Sequence, residues 1–108
     1  MRADAVLKFW FGCERKVWFE KNPAFDDDIR QRFLPDYELG AAGMLGAWKQ
    51  VPARCLALVV LLDQFPRNMF RDSARAFAAD PLARDAARTI LERGWDQPMT
   101  PDERMFAY

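Results

Sequence analysis

Histidine is absent from this sequence of 108 residues. That removes imidazole as a general base, triads built on it and histidine-ligated metal. Hydroxyl nucleophiles are scarce, since Ser73 is the one serine and Thr89 and Thr100 the two threonines. The two cysteines, Cys13 and Cys55, do not make a disulfide framework. Cys55 lies in an apolar run and reads as an inert core thiol, and Cys13, after Gly12, as an incidental one in a loop. Net charge is also lacking: 16 basic residues face 16 acidic ones. A chain with zero net charge has no long-range pull on nucleic acid or an anionic membrane. The longest apolar runs fall far short of the roughly 20 residues a membrane span needs. The N-terminal stretch, broken by Asp4 and Lys8, is no signal peptide, so the expected setting is cytoplasmic. Nothing calls for a metal or a cofactor.

What is present is apolar mass and arginine. Hydrophobic residues make up 51% of the chain, enough for a packed core in one domain spanning 1–108. The densest part is Cys55 to Leu62, eight apolar residues in a row, which turns at once into Asp63-Gln64-Phe65-Pro66-Arg67-Asn68. A helix apolar on every face is a buried helix, so residues 53–64 are expected at the centre of the molecule. A strand is excluded by the length of the run and by its content of only two β-branched residues, Val59 and Val60.

Helix signals follow one another along the rest of the chain, and no strand pattern occurs. A first helix spans 3–11, with Val6, Leu7, Trp10 and Phe11 on one stripe and Gly12 as a left-handed stop. Residues 13–21 form a loop from which Val17, Trp18 and Phe19 fold back as a lid. Asn22-Pro23 caps a second helix ending near Ala42, whose buried face is Phe25, Ile29, Phe33 and Tyr37. Asp26, Asp27 and Asp28 serve the positive end of its dipole and lack the glycine and alternation of a calcium loop. Pro35 must kink this helix or split it. Residues 43–51 connect to Pro52, which opens the central helix, and Pro66 ends that helix or starts a new turn. Asp80-Pro81 repeats the cap-plus-proline signal before a helix with Leu82, Ala83, Ala86, Ala87, Ile90 and Leu91 on its core stripe, closed by Gly94. Thr100-Pro101-Asp102-Glu103 is a capping box announcing a last helix. It is followed by little chain, as in a truncated sequence or in a helix docked on a partner. The expected fold is therefore all-α, about five helices packed as hairpins around residues 53–64.

Read in order, Phe9-Trp10-Phe11-Gly12, Trp18-Phe19-x-Lys21-Asn22-Pro23-x-Phe25-Asp26, Leu62-Asp63-Gln64-Phe65-Pro66-Arg67-Asn68 and Ala76-Phe77-Ala78-x-Asp80 resemble the bacterial family filed as domain of unknown function 924. The resemblance covers essentially the whole chain. It implies a helical fold of the tetratricopeptide-like (TPR-like) superfamily and no established activity. Relatives continue beyond the position of Tyr108 through a His-Ser-Glu segment and further helices. The resemblance thus implies that this chain is the N-terminal part of a longer domain, and a role for that histidine cannot be filled here.

Two functions are expected from these residues. The first is a non-enzymatic TPR-like module binding a peptide or protein in a groove between helix pairs, or associating with itself through Met105, Phe106 and Tyr108. Trp10, Trp18, Trp48 and Trp95 would line such a groove or else anchor the core. The second is part of an enzyme or a binder of small polar ligands, its site built from Asp63, Gln64, Arg67 and Asn68 beside the end of the buried helix, with Trp10 as aromatic neighbour. The plain structural role of the same residues is an Asp63–Arg67 pair with Gln64 and Asn68 satisfying helix ends. Arg67, Arg71, Arg75 and Arg84 suggest an anion site, against ordinary pairing with Asp72, Asp80 and Asp85. No catalytic residue and no metal ligand is assigned.

Overall fold

The computed structural model describes residues 2–13, 15–19, 21–71 and 73–107. Among them every regular element is helical. Helices α1 (Arg2–Phe11), α2 (Pro23–Ala41), α5 (Asp80–Glu92) and α6 (Pro101–Ala107) surround a central rod. The rod is α3 (Pro52–Val59), a π-turn (Val60–Gln64) and α4 (Phe65–Met69) in direct succession. Every other helix packs on some part of it: α1, α5 and α6 on α3, and α2 on α4 and the π-turn. Residues Cys55 to Leu62 are all buried, as a helix apolar on every face requires.

Pro66 neither ends the rod nor starts a separate turn. It lies within α4, and the Phe70 N–H donates to its carbonyl at 2.8 Å. In an α-turn the proline ring would collide with the carbonyl four residues back and leave it unpaired. The chain widens just before it: the Phe65 N–H donates to the Val60 carbonyl, five residues back. The wider turn gives the ring room and carries the helix onward instead of breaking it.

Local signals at the other helices are realised with a few exceptions. The Asn22 side chain accepts from the Phe25 N–H at 3.1 Å. The capping box closes in both directions, Glu103 N–H to Thr100 Oγ1 at 3.2 Å and Thr100 N–H to Glu103 Oε1 at 2.9 Å. Pro35 does not split α2, which runs unbroken through it. Its ring is exposed, and the next residue, Asp36, is clamped by the Arg2 guanidinium at 3.1 and 2.6 Å. Gly12 follows α1 but not with positive φ, unlike Gly43 and Gly94. Its need for glycine is steric, because a Cβ there would collide with the Lys8 carbonyl oxygen. Asp80 is no cap: it is the first residue of α5, and Ala79 before it makes no side-chain capping bond. Leu82 and Leu91 fall outside the core stripe, which is Ala83, Ala86 and Ile90. Within the expected lid, Trp18 stacks on Trp10 at 5.7 Å, whereas Phe19 stays 68% exposed.

The core centres on aromatic rings from four helices. Phe65 lies 4.9 Å from Phe33, 5.7 Å from Trp10 and 6.1 Å from Phe9. Phe106 of α6 meets Trp10 at 5.3 Å and Trp18 at 4.9 Å. Gly40 of α2 lets the rod approach, since a Cβ there would sit 2.9 Å from Leu62 Cδ2. Asp26 ties α2 to the end of the rod, accepting from Asn68 Nδ2 at 2.9 Å and Arg71 Nε at 2.5 Å. Two outcomes follow for urea denaturation. Phe65→Ala is expected to lower unfolding stability by about 3–5 kcal/mol through the cavity it leaves. Asp26→Ala is expected to cost about 2 kcal/mol, because it strands the Asn68 amide without its acceptor.

Candidate functional site

Two stripes of like spacing face each other across the groove between the rod and α5. Val59, Asp63 and Arg67 follow one another at four-residue steps along the rod, and Asp80, Ala83, Arg84 and Ala87 make one face of α5. Together with Phe106 and Ala107 of α6 they line a cleft of about 240 Å³. Its floor is apolar and its walls carry two carboxylates and two guanidiniums.

The charges are incompletely matched. Arg67 Nη2 lies 3.1 Å from Asp63 Oδ1, but its side chain is 43% exposed and also rests on the Phe77 ring at 5.4 Å. Gln64 Nε2 donates to Asp63 Oδ2 at 2.5 Å. Burial pushes the Asp63 carboxyl above its ordinary range; Arg67 pulls it back, and the neighbouring Asp80 pushes it further up. Asp80 Oδ1 is buried and accepts no hydrogen bond among the described residues. Trp10 Nε1 in the core is likewise unpaired, so the oxygen does not by itself mark a ligand's place.

The expected site set divides. Asp63, Gln64 and Arg67 come together here. Asn68 points to the other side of the rod, where it is committed to Asp26. Trp10 does not line the cleft; it is almost wholly buried and supports Phe106 from behind. Asp80 and Arg84 were not expected in the set. Their Asp-x-x-x-Arg spacing, identical to that of Asp63 and Arg67, is the sequence signal that points to them. Of the arginines expected to form one anion site, Arg67 and Arg71 line a common hollow, with Arg71 also bonded to Asp26; Arg75 lies over Phe70 at 4.1 Å, and Arg84 is in the cleft with Arg67. Asp72 lies outside the described residues, and Asp85 pairs with Lys49 at 2.7 Å. Of the residues expected to mediate self-association, Phe106 is core, Met105 is exposed, and Tyr108 lies outside the described residues.

A wider and more open hollow of about 560 Å³ lies on the far side of Arg67, lined by Lys21, Arg71, Ser73 and Phe77. Its polar residues are exposed and Arg71 is already bonded to Asp26, so it is less specific than the cleft. Neither cysteine offers a reactive thiolate. Burial raises the Cys13 thiol, which donates to the Trp10 carbonyl, and burial raises Cys55 to about 11. No group of three or more potential metal ligands occurs among the described residues, and no helix there is long and apolar enough to cross a membrane.

Fold and site together define an all-α protein with a mixed-charge cleft beside a π-turn. The model of the family described as "Bacterial protein of unknown function (DUF924)" matches residues 6–108, and the chain belongs to that family. A solved structure, "Structure of Protein of Unknown Function ATU0120 from Agrobacterium tumefaciens", is similar at 40% sequence identity with a TM-score of 0.94. The similarity covers 98% of this chain and 60% of that one, so the chain spans less than two thirds of its relative's length. Comparison with curated proteins gives no match.

The Asp63–Arg67 pair is half in solvent, and such pairs contribute little to stability. The raised Asp63 pKa gives the sign of its pH dependence. Between the ordinary and the raised value the folded state holds the proton more tightly than the unfolded chain. Stability from this group therefore rises as pH falls from neutral through the raised pKa, and levels off below the ordinary value. Asp63→Asn is expected to melt at or above the parent temperature at pH 7, with the difference shrinking as the pH is lowered past the carboxylate range. A sharp drop at pH 7 in calorimetric melting would instead make the pair a structural clamp.

Proposed function

We propose that this chain is a TPR-like helical module that binds a small polar ligand in the cleft between the central rod and α5. The observation that carries the reading is the convergence of Asp63, Arg67, Asp80 and Arg84 on one cleft with an apolar floor of Val59, Ala83, Ala87 and Phe106. Sites for small molecules combine a mostly apolar lining with a few convergent polar groups. Binding is favoured over turnover because Ser73, Cys13 and Cys55 all lie away from the cleft. The rival role, capture of a peptide or protein in a groove between helix pairs, draws no support from the tryptophans, because Trp10 and Trp48 are buried and Trp18 and Trp95 half-buried against the core. The π-turn supports the binding role too, since such turns cluster at functional sites.

Titration of the isotope-labelled chain with a panel of amines, amino acids, organic acids, sugars and phosphates, followed by amide chemical shifts, tests this. Shifts are expected at residues 59–67 and 80–87 for at least one compound class. Shifts confined to Lys21, Ser73 and Phe77, or none at all, would overturn the reading.

A further inference from the structure

Resting on the cleft as the binding site, we infer that its ligand is a small zwitterion of α-amino-acid size, with its ammonium held by Asp63 and Asp80 and its carboxylate by Arg84 with help from Arg67.

Four observations carry this. The first is the pair of carboxylates, Asp63 and Asp80, that line the cleft together and suit a group with several N–H donors. An ammonium supplies three donors and a charge-assisted bond. Second, the exposed Arg84 guanidinium lines the same cleft and makes no side-chain hydrogen bond or ion pair with the described residues. Its planar fork suits a carboxylate. Third is the balance of charge. Two carboxylates and two guanidiniums leave the cleft neutral, so a lone cation or anion would import a charge into a half-dry site without compensation. A ligand carrying both signs, spaced a few bonds apart, imports none. The fourth is size. About 240 Å³ is below the usual range for drug-sized ligands, roughly 300–1,000 Å³, and suits a molecule of a few heavy atoms. The floor of Val59, Ala83, Ala87 and Phe106 adds a seat for a short aliphatic side chain.

The test uses the 108-residue chain and three probes in calorimetry: L-valine, isobutylamine, which lacks the carboxylate, and isovalerate, which lacks the ammonium. L-Valine is expected to bind, and each singly charged analogue to bind at least about tenfold more weakly, the loss typical of one charge-assisted hydrogen bond. Arg84→Gln is expected to weaken L-valine and leave isobutylamine unchanged. Asp80→Asn is expected to weaken L-valine and leave isovalerate unchanged. Arg84 is exposed and Asp80→Asn preserves shape, so both variants retain the fold. If isobutylamine or isovalerate matches L-valine, the cleft is a site for one charge; the zwitterion is overturned and the binding reading stands. If none of the three binds, the zwitterion is again overturned, and shifts at 59–67 and 80–87 with other classes of the panel decide whether the cleft binds anything.

Discussion

Everything in this molecule is arranged around a proline inside a buried helix. Pro66 has no N–H and its ring excludes the carbonyl four residues back, yet it is buried itself and lies between Phe65 and Met69 of the core. Breaking the helix there would strand backbone groups in an apolar interior, at a cost of about 1–3 kcal/mol for each unsatisfied one. The π-turn from Val60 to Gln64 avoids this by adding a residue to one turn. The rod continues, Phe65 enters the aromatic cluster, and the polar pair Asp63-Gln64 sits at the widened turn. One backbone adjustment thus joins the best-packed part of the protein to its most irregular polar part.

The two sides of the rod after that turn differ in how their charges are settled. On the α2 side Asp26 accepts from both Asn68 and Arg71, so a buried carboxylate has its partners. On the α5 side Asp63 pairs with a half-exposed arginine, and an Asp80 oxygen has no donor among the described residues. The same sequence segment, Asp63 to Arg71, therefore contributes a finished structural joint and an unfinished cleft. Stability alone explains the first. It gives no reason for the second, where apolar replacements would serve the core at least as well.

Short-range features were legible in the sequence because their physics is short-range. The Asn22 cap, the Thr100–Glu103 box, the burial of Cys55 to Leu62 and the all-helical class each depend on residues within one or two turns. The π-turn was not, because apolar periodicity cannot register one added residue in a run that is apolar on every face. Asp80 was misread as a cap for a related reason: Asp-Pro marks a helix start equally well whether the aspartate stands before the first turn or in it. The division of the polar segment was also hidden. Asn68 meets Asp26 across 42 residues of sequence, a pairing decided by how α2 packs on α4. Half of the cleft, Asp63 and Arg67, could be read from a single helical turn. The other half required knowing that α5 lies alongside the rod.

The cleft's irregularity is itself informative. Buried polar atoms left without partners are rare because each one subtracts from a small margin of stability. Ala83 and Ala87 leave room where larger side chains would close the groove, and the cleft keeps two acids and two bases above them. Filling that room with leucine and neutralising Asp80 would be a simple route to a more stable protein, of the kind that ordinary sequences leave open when the site has another use. A packed helical core that settles its charges on one side of the rod and leaves Asp63, Asp80 and Arg84 lining a cleft on the other supplies the rigid support that the proposed binding role requires.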